Sequence, residues 1–522
     1  MCKIQISKIL KKRDKNAIIS QLKNGGIFQM NKIFKKALSV VLCLSLLLSM
    51  GMVSAFATDG AEVERVSCVV NGDTASQRGF TWYTEGQTAT EIKIYKDALV
   101  DVTADLTLSD VKCEEFEGHY MHQVTVSGLE AGTLYTYVVG NGEVWSDVGT
   151  FTTDDGDDKI NFITIADVQA GSEENFEKAS FVMEAAVKKM PNADFVATLG
   201  DYTNDSTNEE WDGYFKYFQK YNNMMTQVPV AGNHDGLGVW HWFENMFDLD
   251  TSESVQNLNG VNYSFDYGNA HFAVLNTNDL LAISNAQLNW LKNDMNSTDA
   301  DWKIVFMHKS PYTLGKDGKW PDALYLSEAL TKVLDECNVD IVMSGHDHQY
   351  LRTKPLYDNE VAEDGNGTTY ILAGTAGTKR YEVREFMPGV YMQTEFIDAL
   401  TIQKNGYGNY WDGEDWDQTD PERIGGVFST MSIDGGELRF EAYVVNDETQ
   451  ELKLIDELTL TKEQGENEIT FEGDNSISEF EYYLGVVPSF GSLAVYAITN
   501  WLIKTVINLP KILYYVIKTD TF

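Results

Sequence analysis

Residues 339–348 read VDIVMSGHDH, a largely apolar run that ends at a glycine and two histidines. The same design recurs upstream as INFITIADVQ at 160–169, FVATLGD at 195–201, VPVAGNHD at 228–235 and KIVFMH at 303–308. Short apolar runs are typical of buried strands, and stretches with helical periodicity lie between them. This alternation predicts an α/β domain, in which side chains that follow the strand ends gather at one edge of the sheet.

In chain order, the motifs D-x-Q, GDxxN, GNHD, H and GHDH resemble those of the calcineurin-like metallophosphoesterases. The similarity extends over about residues 159–355, and HKSPY at 308–312 and GHDHQYLR at 345–352 are most similar to the purple acid phosphatase branch. The resemblance implies two mixed sheets flanked by helices, a four-layer αββα sandwich, in a metallophosphoesterase domain at residues 159–461.

The resemblance also implies a site that holds two divalent metal ions. Asp201 is expected to bridge both ions. The other expected ligands are Asp167, Gln169 and His348 at the first ion, and Asn233, His308 and His346 at the second. A metal-bridging hydroxide would attack phosphorus, His234 would act as general acid or phosphate clamp, and Asp235 would orient His234.

Two positions depart from the family pattern. Gln169 stands where a histidine is common, and Asn204 stands where purple acid phosphatases carry the tyrosine that binds iron(III). An amide oxygen is a harder and weaker ligand than imidazole, so Mn²⁺, Fe²⁺ or Mg²⁺ is favoured, with Zn²⁺ as an alternative. We expect a protein that is not purple and that needs added metal.

The substrate-binding residues stay open at this point. Lys316 and Lys319, in the loop at residues 314–320, either contact phosphate or belong to an exposed charged loop. The aromatic residues at 240–243 either form a wall of the pocket or pack in the core.

Residues 60–153 contain short alternating runs separated by glycine and aspartate, a pattern that predicts an all-β sandwich. The stretch VTVSGLEAGTLYTYVVG resembles a fibronectin type III domain, and in particular the β-domain that precedes the catalytic domain of purple acid phosphatases. We therefore expect a fibronectin type III-like domain followed by the α/β domain.

The two ends of the chain carry different signals. Residues 30–57 combine a basic start, an apolar run and the sequence AFA, which predicts a secretory signal peptide and places residues 1–29 upstream of the true start. In the tail at 462–522, an acidic stretch is followed by a charge-free run at 482–503. That run spans a membrane, lies on its surface, or packs on the enzyme. The expected location is extracellular, free or held at the cell surface.

Composition limits the partners. The formal net charge of −39 argues against general nucleic-acid binding, because such a surface repels a phosphate backbone. Only Cys68, Cys113 and Cys337 lie outside the predicted signal segments, and the first two either pair or stay free. Cations at the metal site would supply the positive field that the surface lacks.

These observations favour a secreted phosphoesterase that hydrolyses phosphate monoesters of small molecules. The first alternative is a phosphodiesterase that uses the same metal centre, since both reactions need the same metal pair. The second alternative is a surface-binding or adhesion protein with an inactive site.

Overall fold

The computed structural model describes residues 62–97, 103–236, 242–255, 260–279, 282–313, 321–362, 366–381, 400–402 and 425–462. Several segments discussed above lie outside these ranges: the predicted start at Met30, the signal peptide, the 314–320 loop, residues 240–241 and the tail beyond residue 462. Within them, no helix is long and apolar enough to cross a membrane.

The N-terminal β-domain consists of two four-strand layers. Its strands are β1 (Val63–Val69), β2 (Gln77–Thr84), β3 (Glu91–Lys96), β4 (Leu106–Leu108), β5 (Lys112–Phe116), β6 (His119–Ser127), β7 (Leu134–Gly140) and β8 (Gly149–Thr152). One layer has the order β1-β2-β6-β5 and the other β4-β3-β7-β8. Alternate side chains such as Phe80, Trp82, Ile92 and Tyr137 point into a common core, which is why the alternating pattern produces a sandwich.

The α/β domain contains the remaining strands and the helices. Its strands are β9 (Lys159–Ile165), β10 (Phe195–Thr198), β11 (Thr226–Pro229), β12 (Tyr263–Tyr267), β13 (Ala270–Val274), β14 (Trp302–Phe306), β15 (Ile341–Ser344), β16 (Tyr350–Thr353), β17 (Leu356–Tyr357), β18 (Glu360–Val361), β19 (Thr369–Ala373), β20 (Leu400–Ile402), β21 (Gly425–Asp434), β22 (Glu437–Asn446) and β23 (Leu452–Thr461). Its helices are α1 (Glu173–Lys189), α2 (Asn208–Asn222), α3 (Trp242–Met246), α4 (Asn285–Asn296), α5 (Pro321–Tyr325) and α6 (Thr331–Glu336), and a π-helical turn, Leu326–Leu330, joins α5 to α6.

Two mixed sheets form the centre of this domain, as the sequence predicted. One contains β23-β22-β21-β9-β10-β11, and the other has the order β12-β13-β14-β15-β19-β16-β20. Phe162 and Phe195 of the first sheet pack edge-on against Phe272 of the second. Helices α1 and α2 cover the outer side of the first sheet, and α4 and α6 cover the second.

The N-terminal β-domain and the α/β domain share one sheet. Strand β1 pairs in parallel with β11 at Val69 and Gln227, and this contact extends the first α/β sheet into β1-β2-β6-β5. The backbone N–H of Val70 donates to the carbonyl of Gln227 at 3.0 Å. The resulting ten-stranded sheet has no break at the end of the N-terminal domain, which the sequence pattern did not reveal.

The sequence left open whether Cys68 and Cys113 form a disulfide; in the structure they do not, and both thiols are free. Cys68 lies on β1 and Cys113 on β5, with β2 and β6 between them. Strands are about 4.8 Å apart, so the two Cα atoms are separated by about 14 Å, twice the span that a disulfide bridges.

Candidate metal centre

The predicted ligands follow the carboxyl ends of parallel strands. Asp167 comes after β9, Asp201 after β10 and Asn233 after β11 in the first sheet. His308 follows β14, and His346 and His348 follow β15, in the second sheet. Because the two sheets are stacked, these strand ends meet at one edge of the domain.

The first group of ligand atoms belongs to Asp167, Asp201 and His348, and these atoms lie within 4.8 Å of one another. Nε2 of His348 is 3.4 Å from Oδ1 of Asp167. Gln169, the expected fourth ligand, is 5 % exposed, and neither polar atom of its side chain has a hydrogen-bond partner among the described residues.

The second group belongs to Asp201, His308 and His346, so Asp201 is common to both groups. Nε2 of His308 lies 3.2 Å from Oδ2 of Asp201 and 3.2 Å from Oδ1 of Asn233. Nδ1 of His346 lies 3.3 Å from the same His308 nitrogen. The structure thus brings together every residue that the sequence proposed as a ligand of the second metal.

The backbone at the site adopts left-handed conformations that non-glycine residues seldom adopt. The φ angles are 52° at Asp167, 33° at Gln169, 55° at Asp201, 77° at His346 and 52° at His348. Each such residue costs about 1–3 kcal/mol, and such strain persists where the surrounding structure fixes it, most often at functional sites.

Glycines allow the ligand loops to approach one another. A Cβ at Gly232 would lie 2.1 Å from the backbone nitrogen of Asp201, and a Cβ at Gly345 would lie 2.5 Å from Oδ2 of Asp167. Any side chain at either position would push a ligand carboxylate away from its group.

The charges of the second group are strongly coupled. Burial disfavours the charged forms of both His308 and Asp201, but their mutual contact outweighs it. The contact raises the pKa of His308 to about 9 and holds the pKa of Asp201 below its usual range. Burial and the charge on His308 lower the pKa of His346 far below its ordinary value. One positive charge, on His308, is thus stabilised by the Asp201 carboxylate, and a second on His346 is disfavoured. A divalent cation bound between these side chains would supply the positive charge that the carboxylate needs.

The donor atoms at the first group also fit a cation. Nδ1 of His348 contacts the backbone carbonyl of Lys379, while Nε2 has no hydrogen-bond partner among the described residues. A carbonyl at one ring nitrogen leaves the other as the ligand atom. A buried polar atom without a partner costs about 1–3 kcal/mol, and ligation of a cation by Nε2 and by the Gln169 amide oxygen would remove that cost.

His234 is held over the site by backbone contacts. The backbone N–H of His234 donates to Oδ1 of Asp201 at 2.8 Å, and Nδ1 of its ring contacts the carbonyl oxygen of Asn204. Nδ1 must therefore carry a proton, which leaves Nε2 as the nitrogen available for chemistry.

The hydrogen bonds of Asp235 differ from those expected for a residue that orients His234. Its carboxylate does not hold the His234 ring, but accepts from the backbone N–H groups of Asp201 at 2.8 Å, Gly232 at 2.8 Å and Tyr202 at 2.7 Å. Burial, followed by the charge of Asp201, raises the pKa of Asp235 to about 7. Asp235 therefore clamps together the loops that follow β10 and β11, and it is placed to position Asp201 and not His234.

Sequence reasoning missed the segment that follows β19. The ring of Tyr381 stacks on His348 with centroids 4.4 Å apart, and Arg380 binds Asp447 through two contacts of 2.8 Å. The signal was present in the sequence, since residues 369–374 form a further apolar run that ends at a glycine.

The aromatic residues at 242–243 belong to the core. Trp242 is 1 % exposed and packs on Phe116 and Trp211, and Phe243 is fully buried. Neither residue is available to contact a substrate.

Comparison with known proteins agrees with the fold and with the arrangement of the candidate ligands. Residues 160–350 match the calcineurin-like phosphoesterase family, and residues 63–153 match the N-terminal domain of purple acid phosphatases. The chain therefore carries a calcineurin-like phosphoesterase domain preceded by a purple acid phosphatase N-terminal domain.

Similar proteins of known name are purple acid phosphatases of Arabidopsis thaliana. "Probable inactive purple acid phosphatase 1" is 26% identical over 315 residues, which cover 52% of this chain and 51% of that protein. "Purple acid phosphatase 23" is 27% identical over 175 residues, 32% of this chain and 37% of that protein. The matched part spans about half or less of these relatives' length.

Solved structures with the same fold include purple acid phosphatase PPD1 of yellow lupin. It has a TM-score of 0.58 and 14% identity, and the match covers 77% of this chain and 74% of that one. The structure of PhoD has a TM-score of 0.52 and 13% identity, and covers 78% and 95% of the two chains. At these identities the comparison establishes the fold alone.

Proposed function

We propose that this protein is a dinuclear-metal phosphoesterase that hydrolyses phosphate monoesters. The observation that carries the proposal is the position of Asp201, whose carboxylate belongs to both groups of ligand atoms. A shared carboxylate is what two adjacent cations require, and paired cations suit phosphate ester hydrolysis.

The ligands divide between two cations. Asp167, Gln169, Asp201 and His348 would hold the first, and Asp201, Asn233, His308 and His346 would hold the second. The oxygen donors, with an amide in each set, favour Mn²⁺, Fe²⁺ or Mg²⁺, and Zn²⁺ remains the alternative.

When bound, the cations would lower the pKa of a water and neutralise the phosphoryl oxygens. The chain itself supplies the proton for the leaving group. The carbonyl of Asn204 contacts Nδ1 of His234 and so fixes the ring, which leaves Nε2 as the nitrogen that would donate a proton to the departing oxygen. Asp235 keeps Asp201 in place through the backbone.

Two observations support activity over an inactive site, although one relative is named as inactive. Every proposed ligand position holds a residue that can coordinate a cation, and His234 is present beside Asp201. Monoesters are preferred because the two matched domains are paired in proteins named purple acid phosphatases.

The test compares p-nitrophenyl phosphate with bis(p-nitrophenyl) phosphate, using the full chain with Mn²⁺ and again after chelation. We expect metal-dependent hydrolysis that favours the monoester, and loss of at least about 10²-fold in kcat for Asp201→Asn. Asp299→Asn, at an exposed aspartate of the loop between α4 and β14, is the matched control and should be unaffected. A preference for the bis-ester would establish the diesterase instead, and absence of both metal and turnover would refute the proposal.

We also propose that the chain is exported and that its N-terminal domain is a fibronectin type III-like sandwich. The basic and apolar pattern of residues 30–57 supports export, and the two layers of four strands support the sandwich. Association of the tail with a membrane is supported by the charge-free run at 482–503. Fractionation of expressing cells, with and without residues 463–522, tests both location and tail.

A further inference from the structure

A buried carboxylate lies beneath the loop that holds His234. Glu210, in the first turn of α2, is 8 % exposed. Its Oε2 accepts from the backbone N–H of Asp205 at 2.6 Å. The N–H groups of Thr207 and Asn204 also stabilise its charged form, although burial outweighs them and raises the pKa of Glu210.

Part of this arrangement is an ordinary helix cap. Thr207 is the N-cap of α2, and its hydroxyl accepts from the backbone N–H of Glu210 at 3.2 Å. A glutamate three residues into the helix that returns to the N-cap N–H completes a capping box. A capping box needs only the contact with Thr207, so the contacts with Asp205 and Asn204 call for another explanation.

The loop held by Glu210 is the loop that holds His234. The carbonyl oxygen of Asn204 contacts Nδ1 of the His234 ring, and the hydroxyl of Ser206 donates to the His234 carbonyl at 2.7 Å. Ser206 itself has a φ of 53°, a conformation that needs support from its surroundings. The same short segment therefore fixes both the ring and the backbone of the proposed general acid.

We propose that Glu210 is a positioning residue for His234, acting through the backbone of residues 204–207. Its carboxylate fixes the Asn204 carbonyl, and that carbonyl directs the His234 ring so that Nε2 faces the leaving oxygen. The inference rests on the proposed phosphomonoesterase function. It adds that Glu210 is needed for substrates whose leaving groups must receive a proton from His234.

Replacement of the carboxylate by an amide isolates this role. Glu210→Gln keeps the size of the side chain, but it turns an NH₂ group towards backbone N–H groups that need acceptors. The loop should shift while the helix stays folded, because the Thr207 hydroxyl cap is retained.

The experiment uses two monoesters and the full chain. Departure of p-nitrophenolate needs no proton, whereas the alkoxide from glycerol phosphate does. General acids contribute about 10²–10⁴-fold, so His234→Ala should lower kcat for glycerol phosphate by that factor. Glu210→Gln should lower it by about tenfold, with less than about twofold change on p-nitrophenyl phosphate. In the His234→Ala background, Glu210→Gln should have no further effect on glycerol phosphate.

Two variants serve as controls. Glu209→Gln makes the same change at an exposed residue of the same turn, and Ser284→Ala removes a comparable cap from α4. Both should leave the ratio of the two activities unchanged. Metal content is measured for every variant, because Oε1 of Glu210 also faces Gly171 in the loop that carries Gln169.

The outcomes separate the two proposals. Absence of turnover by the metal-loaded wild type refutes the proposed function. With an active wild type, an equal fall on both substrates, loss of metal, or a further loss in the double variant would overturn the role of Glu210. A selective fall on glycerol phosphate with metal retained supports it.

Discussion

Gln169 is the proposed ligand that would set the affinity of the first metal site. Its amide is buried without a hydrogen-bond partner among the described residues, and its φ of 33° shows that the loop is fixed around it. An amide oxygen binds divalent transition metals more weakly than imidazole does. With Gln169 as a ligand, the first site would bind a transition metal more weakly than it would with a histidine at this position.

Replacement of this ligand tests that conclusion. Gln169→His introduces the imidazole that is common in related motifs, and we expect the apparent Kd for Zn²⁺ to fall by about tenfold or more. Metal retained after dialysis, measured by mass spectrometry, gives the readout. Gln169→Ala should lose metal under the same conditions, and equal retention by all three proteins would show that residue 169 is no ligand.

Gly232 determines whether Asp201 can reach both groups. A Cβ there would lie 2.2 Å from Oδ1 of Asp201. We expect Gly232→Ala to abolish binding of at least one metal equivalent in a titration with Mn²⁺, because the carboxylate must move. Gly86→Ala is the control, since a Cβ there meets nothing within 4 Å. Full metal binding by Gly232→Ala would contradict the geometry of the site.

At the scale of elements, the sequence predicted the strands that carry ligands but not what holds them together. An apolar run that ends at a polar side chain is a local signal, and the structure has strands that end just before Asp201, His308 and His346, as that signal predicted. The clamp made by Asp235 joins loops that lie far apart in the chain, and no local pattern records its direction. Long-range hydrogen bonds of this kind could not be read from spacing.

His271 is a second link between elements, and it joins β12, β13 and α4. Its Nδ1 lies 2.7 Å from Asp266 and its Nε2 2.9 Å from Asp294. Burial opposes the charged ring, but the hydrogen bonds to the two carboxylates raise the pKa of His271 to about 9. The native protein thus binds a proton that the unfolded chain, with a pKa of about 6.5, releases earlier.

This link predicts a pH dependence of stability. The stabilisation is complete below about pH 6.5 and is lost as pH rises through about 9, because only the native state stays protonated between these values. We expect the free energy of unfolding to fall by about 1–3 kcal/mol across this window, less than the full shift implies because Asp266 is exposed. Urea denaturation at several pH values provides the measurement. His271→Gln should lack this fall, and the same slope in both proteins would contradict the link.

At the scale of the whole molecule, the chain combines its N-terminal β-domain and the α/β domain into one body. All described residues belong to a single compact unit of the chain, and β1 continues the first sheet of the α/β domain beyond β11. The sequence pattern divided the two domains because composition changes near residue 159, whereas Val69 and Gln227 are distant in sequence. Pairing across such a separation leaves no periodic signal.

Arg78 shows how the two domains are coupled. This fully buried residue of β2 donates to Oγ1 of Thr226 in β11 at 3.1 Å, to the carbonyl of Thr152 in β8 at 2.8 Å and to that of Thr74 at 2.7 Å. One guanidinium thus binds both layers of the N-terminal domain and the first sheet of the α/β domain. Its removal would leave buried acceptors without donors in both domains.

We therefore predict that the two domains unfold together. Hydrogen exchange in urea, followed on peptides from β6 and β10, should show loss of protection at one common urea concentration. Arg78→Met should lower the free energy of unfolding by about 3 kcal/mol or more for both peptides. Each buried acceptor that loses its donor costs about 1–3 kcal/mol. Arg439→Met, a change at an exposed arginine of β22, should alter it by less than about 0.5 kcal/mol. Separate transitions for the two peptides, or an effect of Arg78→Met on β6 alone, would mean that the shared sheet does not couple the domains. The N-terminal domain would then act as an independent module, and its removal would leave a folded α/β domain.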